Sequence, residues 1–203
     1  MNSIIKVIAA ITMIIDHIGM IFFPEVEVLR IIGRLSLPLF AFCIAEGYKH
    51  TKDVKKYIIR VTGFAILAQI PFSIMFQLRL NILFAFALGL LLLTLKDKYG
   101  KWVYLFLLPA ALLNLEYGIY SILLVIIFHE LKDKKTALIA AFTAVTLIYS
   151  ITQNSVIQLA GIFALYAVYY LKDIQVKIPK YAFYILYPVQ WMVLVIIRIL
   201  LPA

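Results

Sequence analysis

The sequence predicts an all-α fold, a polytopic membrane helix bundle of about nine transmembrane segments within a single integral membrane domain, residues 1–203. Three observations predict it. Hydrophobic residues make up 65% of the chain and charged residues 14%, whereas soluble proteins run at roughly 45–50% apolar and about 25% charged. Several apolar stretches approach or exceed the ~20 residues that a spanning helix needs. Lysines, finally, cluster in alternate breaks between those stretches.

Taken in order, the first segment covers residues 3–23. Its one basic flank is Lys6, it has no small-x-small cleavage site, and Asp16-His17 falls late in the apolar run, so it reads as a retained helix and not a signal peptide. The second, 29–48, carries Arg30 and Arg34 four residues apart on one face. Pro38 has no N–H for the Arg34 carbonyl, which predicts a kink there. The third, 58–77, presents Gln69, Ser73 and Gln77 at i, i+4, i+8; hydrogen bonding between helices accounts for that stripe as well as substrate binding does. The fourth is 82–95.

Segments 102–115 and 117–131 are short. Arms of about fourteen residues span ~21 Å against a ~30 Å hydrocarbon core, so the alternative to two crossings is a re-entrant hairpin, tolerated only where it lines protein or a wet cavity. Asn114, Glu116 and Tyr117 at its turn would then lie level with His17. Segments 136–150, 155–171 and 181–201 complete the set, and Tyr187 and Gln190 share a deep face of the last.

Lys49, Lys52, Lys55, Lys56 and Arg60 follow the second segment, Lys96, Lys98 and Lys101 the fourth, Lys132, Lys134 and Lys135 the sixth, and Lys172, Lys177 and Lys180 the eighth. The intervening breaks "PEVEV", "QLRLN", "NLEYG" and "SITQNS" contain no lysine. Basic loops stay in the cytoplasm, which predicts an N-terminus inside, a C-terminus outside and a multi-pass protein of the cell (plasma) membrane. Orientation thus explains the net charge of +9, and nucleic acid is not an expected partner; the lipid bilayer is. A nucleotide-bearing thioester could still use the cytoplasmic lysines. Arg30, Arg34 and Arg79 sit near the outer ends of their segments, and Arg198 can snorkel to the outer interface. Cys43 is a lone cysteine and the three histidines are scattered, so neither a disulfide nor a metal site is expected.

Ionisable groups inside a bilayer are costly and mark function by default. Neighbours on a helix point about 100° apart, so Asp16 and His17 are not a dyad. Asp16 is expected to pair with Arg30 or Arg34, and His17 to face a cavity, oriented by another group such as Glu116. Histidine is suited to moving protons near neutral pH. The plainer alternative is an ion-pair network that only clips helices together. Glu46, beside Lys49 and His50, reads equally as an interfacial ion pair or as part of a donor site.

The blocks "IDHIGMIFFP", "LRIIGRLSLPLFAFCIAEGYKHTKDVKKYIIR", "AQIPF", "NILFAFALGLLLL", "EYGIYSILLVI" and "FYILYPVQ" resemble, in the same order, those of the TraX family of integral membrane proteins. The resemblance implies acetyl transfer: the family's namesake is associated with N-terminal acetylation of conjugative pilin, and the family is similar to membrane acyltransferases that modify extracytoplasmic acceptors. An early-helix histidine is the expected catalytic group, which maps onto His17, with matching polar positions at Asp16, Arg30, Arg34, Glu46, Asn81, Glu116 and Tyr117. One departure stands out: Gln190 occupies the place after "YP" where the resemblance leads one to expect histidine.

The expectation is therefore a membrane-embedded acyltransferase moving an acyl group, acetyl foremost, from cytoplasmic acetyl-CoA (or another acyl-CoA) to an amine or hydroxyl of an extracytoplasmic or membrane-associated acceptor: a peptide amine, glycan or lipid. Catalysis falls to His17, Asp16, Arg30, Arg34 and Glu116. Substrate contacts fall to Glu46, Gln69, Ser73, Gln77, Arg79, Asn81, Asn114, Tyr117, Tyr187 and Gln190. No metal or permanently bound cofactor is called for. The rival readings are a proton-coupled transporter or permease and a non-catalytic membrane subunit. An acyltransferase needs a passage for a pantetheine arm from the cytoplasm to His17, and the rivals do not.

Overall fold

The computed structural model describes residues 4–179 and 181–201; Lys180 lies outside them. Every regular element among the described residues is helical: α1 (Ile4–Phe22), α2 (Glu27–Gly33), α3 (Ser36–His50), α4 (Val54–Phe76), α5 (Ile82–Tyr99), α6 (Leu107–Ala110), α7 (Gly118–Glu130), α8 (Lys135–Thr152), α9 (Ala164–Tyr170) and α10 (Ala182–Leu200). Two 3-10 helices, Lys101–Phe106 and Val156–Phe163, run into α6 and α9. Five of the described helical stretches are long and apolar enough to cross a membrane: α1, Glu27–His50, α4, α8 and α10. Lys101–Ala110, Gly118–Glu130 and Val156–Tyr170 are apolar but shorter.

Local chemistry sets the boundaries. Asp53 caps α4 by accepting from the Lys56 amide at 2.9 Å, and Asn81 caps α5 by accepting from the Leu83 amide at 3.1 Å. Gly100, at φ +84°, ends α5 in a conformation that favours glycine. The second segment runs as one helical stretch from Glu27 to His50, and its hydrogen-bonded pattern is interrupted at Arg34–Leu35, one turn before Pro38, because the proline has no N–H to offer the Arg34 carbonyl. The 3-10 helix Val156–Phe163 closes on this break: a Cβ at Gly161 would stand 3.2 Å from the Arg34 carbonyl oxygen.

The arm expected at 102–115 also differs from a straight crossing. It is a 3-10 helix, one α-turn and an irregular stretch. That stretch is pinned to the α4–α5 turn, with the Leu80 amide donating to the Asn114 carbonyl at 2.8 Å and the Glu116 amide to the Leu80 carbonyl at 2.8 Å. Backbone groups of a non-helical turn are thereby satisfied within the protein, as membrane depth demands.

Connections between helix ends show the alternation of the basic breaks. Lys96 bridges Asp97 at 3.3 Å and Glu130 at 2.9 Å, while Tyr48 donates to Asp97 at 2.7 Å. The Ile4 amide reaches the Ile174 carbonyl at 3.0 Å. The ends of α3, α5 and α7 thus meet at one pole, the basic end, and the lysine-free turns lie at the other. A core through α3, α5 and α7 buries Leu39, Phe86, Leu90, Ile122 and Val125; a second cluster gathers Met13, Ala68, Phe72, Tyr187 and Leu194 around Trp191. Outward faces of α4, α8 and α10 carry exposed Ile66, Ile70, Ile148, Met192 and Ile196, the surface a bilayer covers.

Close helix contacts rest on small residues. A Cβ at Gly19 would lie 2.6 Å from Leu29 Cβ, whereas nothing stands within 4 Å of one at Gly63. Gly19→Ala is expected to cost about 1–3 kcal/mol through overpacking, read as a lower unfolding temperature in detergent. Gly63→Ala, gaining helix propensity, leaves that temperature unchanged or higher.

Candidate functional site

The site is built on α1. Both Asp16 carboxylate oxygens accept from Arg34 Nη2, at 2.5 and 2.7 Å. Arg30 Nη1 lies 3.0 Å from Asp16 Oδ1 and donates to the Asp16 carbonyl at 3.0 Å. Asp16 therefore pairs with both arginines. Gly33 allows this, because a Cβ there would collide with the Asp16 carboxyl group. Arg34 also donates to Gln158 Oε1 at 3.3 Å and to the Arg30 carbonyl at 3.2 Å, and its guanidinium stands 5.7 Å from the centre of the Tyr117 ring. Two guanidiniums against one carboxylate leave an excess positive charge beside a buried group, and buried charges need partners.

His17 turns away from Asp16 toward α10. Its Nδ1 lies 3.0 Å from Gln190 Nε2, and its ring centre is 4.3 Å from that of Trp191. Gln190 Oε1 is buried without a partner. An amide that donates to a bare Nδ1 can, after a half-turn, accept from Nδ1–H, so Gln190 can hold either neutral tautomer. The expectation that Glu116 orients His17 is corrected. Glu116 Oε2 accepts instead from the Ile82 amide at 2.9 Å and from the Tyr187 hydroxyl at 3.4 Å, because the pinned 111–117 turn directs it onto the start of α5.

Asp16, His17, Glu116, Tyr117 and Tyr187 nevertheless line one chamber of ≈ 30 Å³, closed by Met13, Leu37, Phe40, Ile82 and Phe86. Tyr117 enters it from a left-handed backbone, φ +61°, at the start of α7, a conformation costly for a bulky residue and characteristic of functional turns. A second cavity of ≈ 460 Å³ shares Met13, Phe40, Ile82, Phe86 and Tyr187 with the chamber and extends to Lys6, Glu46, His50 and Arg60 at the basic end. Lys6 and His17 are eleven residues apart on α1, about 16 Å. The large cavity thus reaches from the basic end to the walls of the chamber that holds the imidazole.

Other predicted contacts lie elsewhere. Gln69 donates to Ser73 Oγ and to the Arg79 carbonyl, both at 2.8 Å, and accepts from Asn81 Nδ2 at 2.8 Å and from the Asn81 amide at 3.0 Å. Asn81 donates in turn to the Ala65 carbonyl at 2.8 Å. Gln69, Ser73 and Asn81 spend their polar groups on one another, and the set fixes the α4–α5 turn so that the Ile82 amide meets Glu116. The side chains of Gln77, Arg79 and Asn114 are exposed and line neither cavity. Glu46 lines the large cavity and contacts His50 at 3.3 Å. The sequence reading missed Ser36, Gln158, Trp191 and the cavity position of Arg60. The signal for Gln158 was a lone amide in an apolar run, and that for Trp191 its place beside Gln190.

A profile of the TraX protein family matches residues 1–198. Probable fimbrial assembly protein FimC, serogroup H1, of Dichelobacter nodosus is 30% identical over 162 residues, 69% of this chain and 66% of its own length. An uncharacterized protein of Rickettsia prowazekii (strain Madrid E) is 36% identical over 76 residues, 37% of this chain and 29% of its own. The chain spans under two thirds of the length of these curated relatives. No solved structure matches it.

Removing the carboxylate strands two guanidiniums. Asp16→Ala is expected to destabilise the protein by about 3–5 kcal/mol, and replacing Asp16, Arg30 and Arg34 together with apolar side chains to recover most of that loss. Thermal unfolding in detergent measures both. A near-wild-type Asp16→Ala protein would show that the arginines are neutralised elsewhere.

Proposed function

The chain belongs to the TraX family, and on that premise we propose that it is a membrane-embedded acyltransferase that moves an acetyl group from acetyl-CoA to an amine or hydroxyl on the far side of the cell membrane. The observation that carries this reading is the ≈ 460 Å³ cavity that runs from the basic end to walls shared with the His17 chamber, which supports entry of a pantetheine arm from that end. In the membrane the chain makes about nine passes, or fewer if the short 102–131 pair is a re-entrant hairpin, with its N-terminus and the basic end in the cytoplasm, so the donor enters there and the acceptor from outside. The relative from Dichelobacter nodosus is a probable fimbrial assembly protein, which favours an extracytoplasmic polypeptide amine among the acceptors.

The chemistry follows from the groups in the chamber. With the Gln190 amide turned by half from the arrangement above, its Oε1 accepts from His17 Nδ1–H and leaves Nε2 free as general base. Nε2 takes the proton of the acceptor N–H or O–H as that atom attacks the thioester carbonyl carbon. Arg30 and Arg34 line neither cavity, so their positive charge in excess of Asp16 acts on the oxygen that becomes negative through its field, from behind the carboxylate, and not by contact. When the intermediate collapses, the C–S bond breaks and the imidazolium protonates the departing thiolate. Glu116, Tyr117 and Tyr187 border the acceptor. The ≈ 30 Å³ chamber has room for about two waters, which suits an acetyl group and excludes long acyl chains.

Purified protein incubated with labelled acetyl-CoA and membrane extract should transfer label to a membrane or extracytoplasmic acceptor. His17→Ala is expected to lower the rate about 10²- to 10⁴-fold, the usual contribution of a positioned base, with the unfolding temperature held near wild type. A folded His17→Ala protein that acylates at the wild-type rate would remove His17 from the mechanism.

A further inference from the structure

Acyl transfer as set out above makes no use of Arg60, a charged side chain in the wall of the large cavity. Among the described residues no carboxylate pairs with it, and its Nε is buried without a hydrogen-bond partner. Two aromatic rings hold it instead. The guanidinium lies 5.3 Å from the ring centre of Tyr57 and 5.3 Å from that of Tyr184, both within cation–π range. Tyr184 is backed by Phe64, stacked at 5.3 Å. Tyr57 runs against α3 at Gly47, where a Cβ would stand 2.5 Å from the tyrosine oxygen.

Contacts through the ring faces fix a guanidinium while leaving its N–H edge available, and that planar edge matches phosphate oxygens in pairs. The other charged or titratable residues in the cavity wall are Lys6, Glu46 and His50, with Glu46 against His50 at 3.3 Å, so the balance in the wall is cationic. Arg60 is nine residues before Gln69 on α4, about 13 Å along the axis, and Gln69 holds the turn that sets Ile82 beneath Glu116. Phosphate and reacting carbonyl must therefore be separated by an arm of that order. A donor such as an acyl phosphate, with the two joined directly, cannot occupy both places.

We propose that Arg60, held between Tyr57 and Tyr184, is the receptor for a phosphate ester, that of a phosphopantetheine thioester whose arm runs past Phe40 and Phe86 toward His17. The identity of the ligand rests on the acyl-transfer reading; the anion site itself does not. A phospholipid headgroup shares the same chemistry, and the test separates the two sources.

Calorimetric titration of the full chain in detergent compares CoA with pantetheine, which lacks the phosphates. Wild type should bind CoA at least tenfold more tightly, and Arg60→Gln should lose that difference while keeping its affinity for pantetheine. Equal affinities in wild type, or an unaltered difference in Arg60→Gln, overturn the proposal. In nanodiscs, displacement of CoA by phosphatidylglycerol but not by phosphatidylcholine assigns the site to a lipid headgroup and overturns the donor. Should Arg60→Gln fail to fold, the wild type still answers through Cys43, which lines the same cavity. Desulfo-CoA, which has no thiol to consume the reagent, should slow its alkylation by N-ethylmaleimide, and inorganic pyrophosphate should relieve that protection; protection that pyrophosphate leaves intact sinks the phosphate contact. Phosphate-dependent binding without acyl transfer keeps this site and rejects the enzyme. Acyl transfer with an unchanged KM in Arg60→Gln does the reverse.

Discussion

The Asp16 carboxylate between Arg30 and Arg34 is the constraint from which the rest of the molecule is arranged. An acid at this depth has no water to solvate it, and its pairing with two cations dictates the path of the chain. The helix that brings both arginines must approach α1 closely, hence Gly19 and Gly33 at the contact. The interruption that Pro38 imposes at Arg34–Leu35 lies at the same point, and α3 continues from it through the core. The 3-10 helix Val156–Phe163 closes the far side, offering Gln158 to Arg34. Three separated stretches of sequence are thus tied to one carboxylate.

That arrangement also aims the histidine. With Asp16 fixed on α2, the helical geometry of α1 leaves His17 pointing toward α10, where Trp191 covers one face and Gln190 meets Nδ1. Glu116 reaches the same chamber by a different route, through a turn whose backbone hydrogen bonds are shared with Leu80. Four segments therefore contribute polar groups to a space no larger than a small acyl group. Their positions are set by hydrogen bonds outside it, in particular the Gln69–Asn81 set.

Much of this was legible in the sequence where one strong rule governed. Apolar length fixed α1 at Ile4–Phe22 against an expected 3–23, and the cost of a buried acid foretold the Asp16–arginine pairing. The short arms and the "NLEYG" turn put Glu116 and Tyr117 level with His17. Pro38 did interrupt the second segment where its missing N–H predicts, at the Arg34 carbonyl. What failed was partner choice among equals. Gln69 and Ser73 had the spacing of a cavity stripe, but their nearest acceptors and donors were in the adjoining turn. Glu116 found a backbone amide before it could find His17. Arg60 looked like one more charge of a basic loop, since nothing in a one-dimensional pattern shows Tyr57 and Tyr184 enclosing it.

The incomplete arm Lys101–Ala110 has a consequence for the lipid around it. Six residues of 3-10 helix and four of α-helix reach about 18 Å, well short of a ~30 Å hydrocarbon core. Lipid against a short hydrophobic flank thins to match, at a cost of fractions of a kcal/mol per ångström. Where this flank meets lipid, thinning of that kind would bring the water boundary toward the 111–117 turn and the Glu116 carboxylate behind it, and a polar molecule approaching along it would meet a dimple in the membrane in place of a full leaflet.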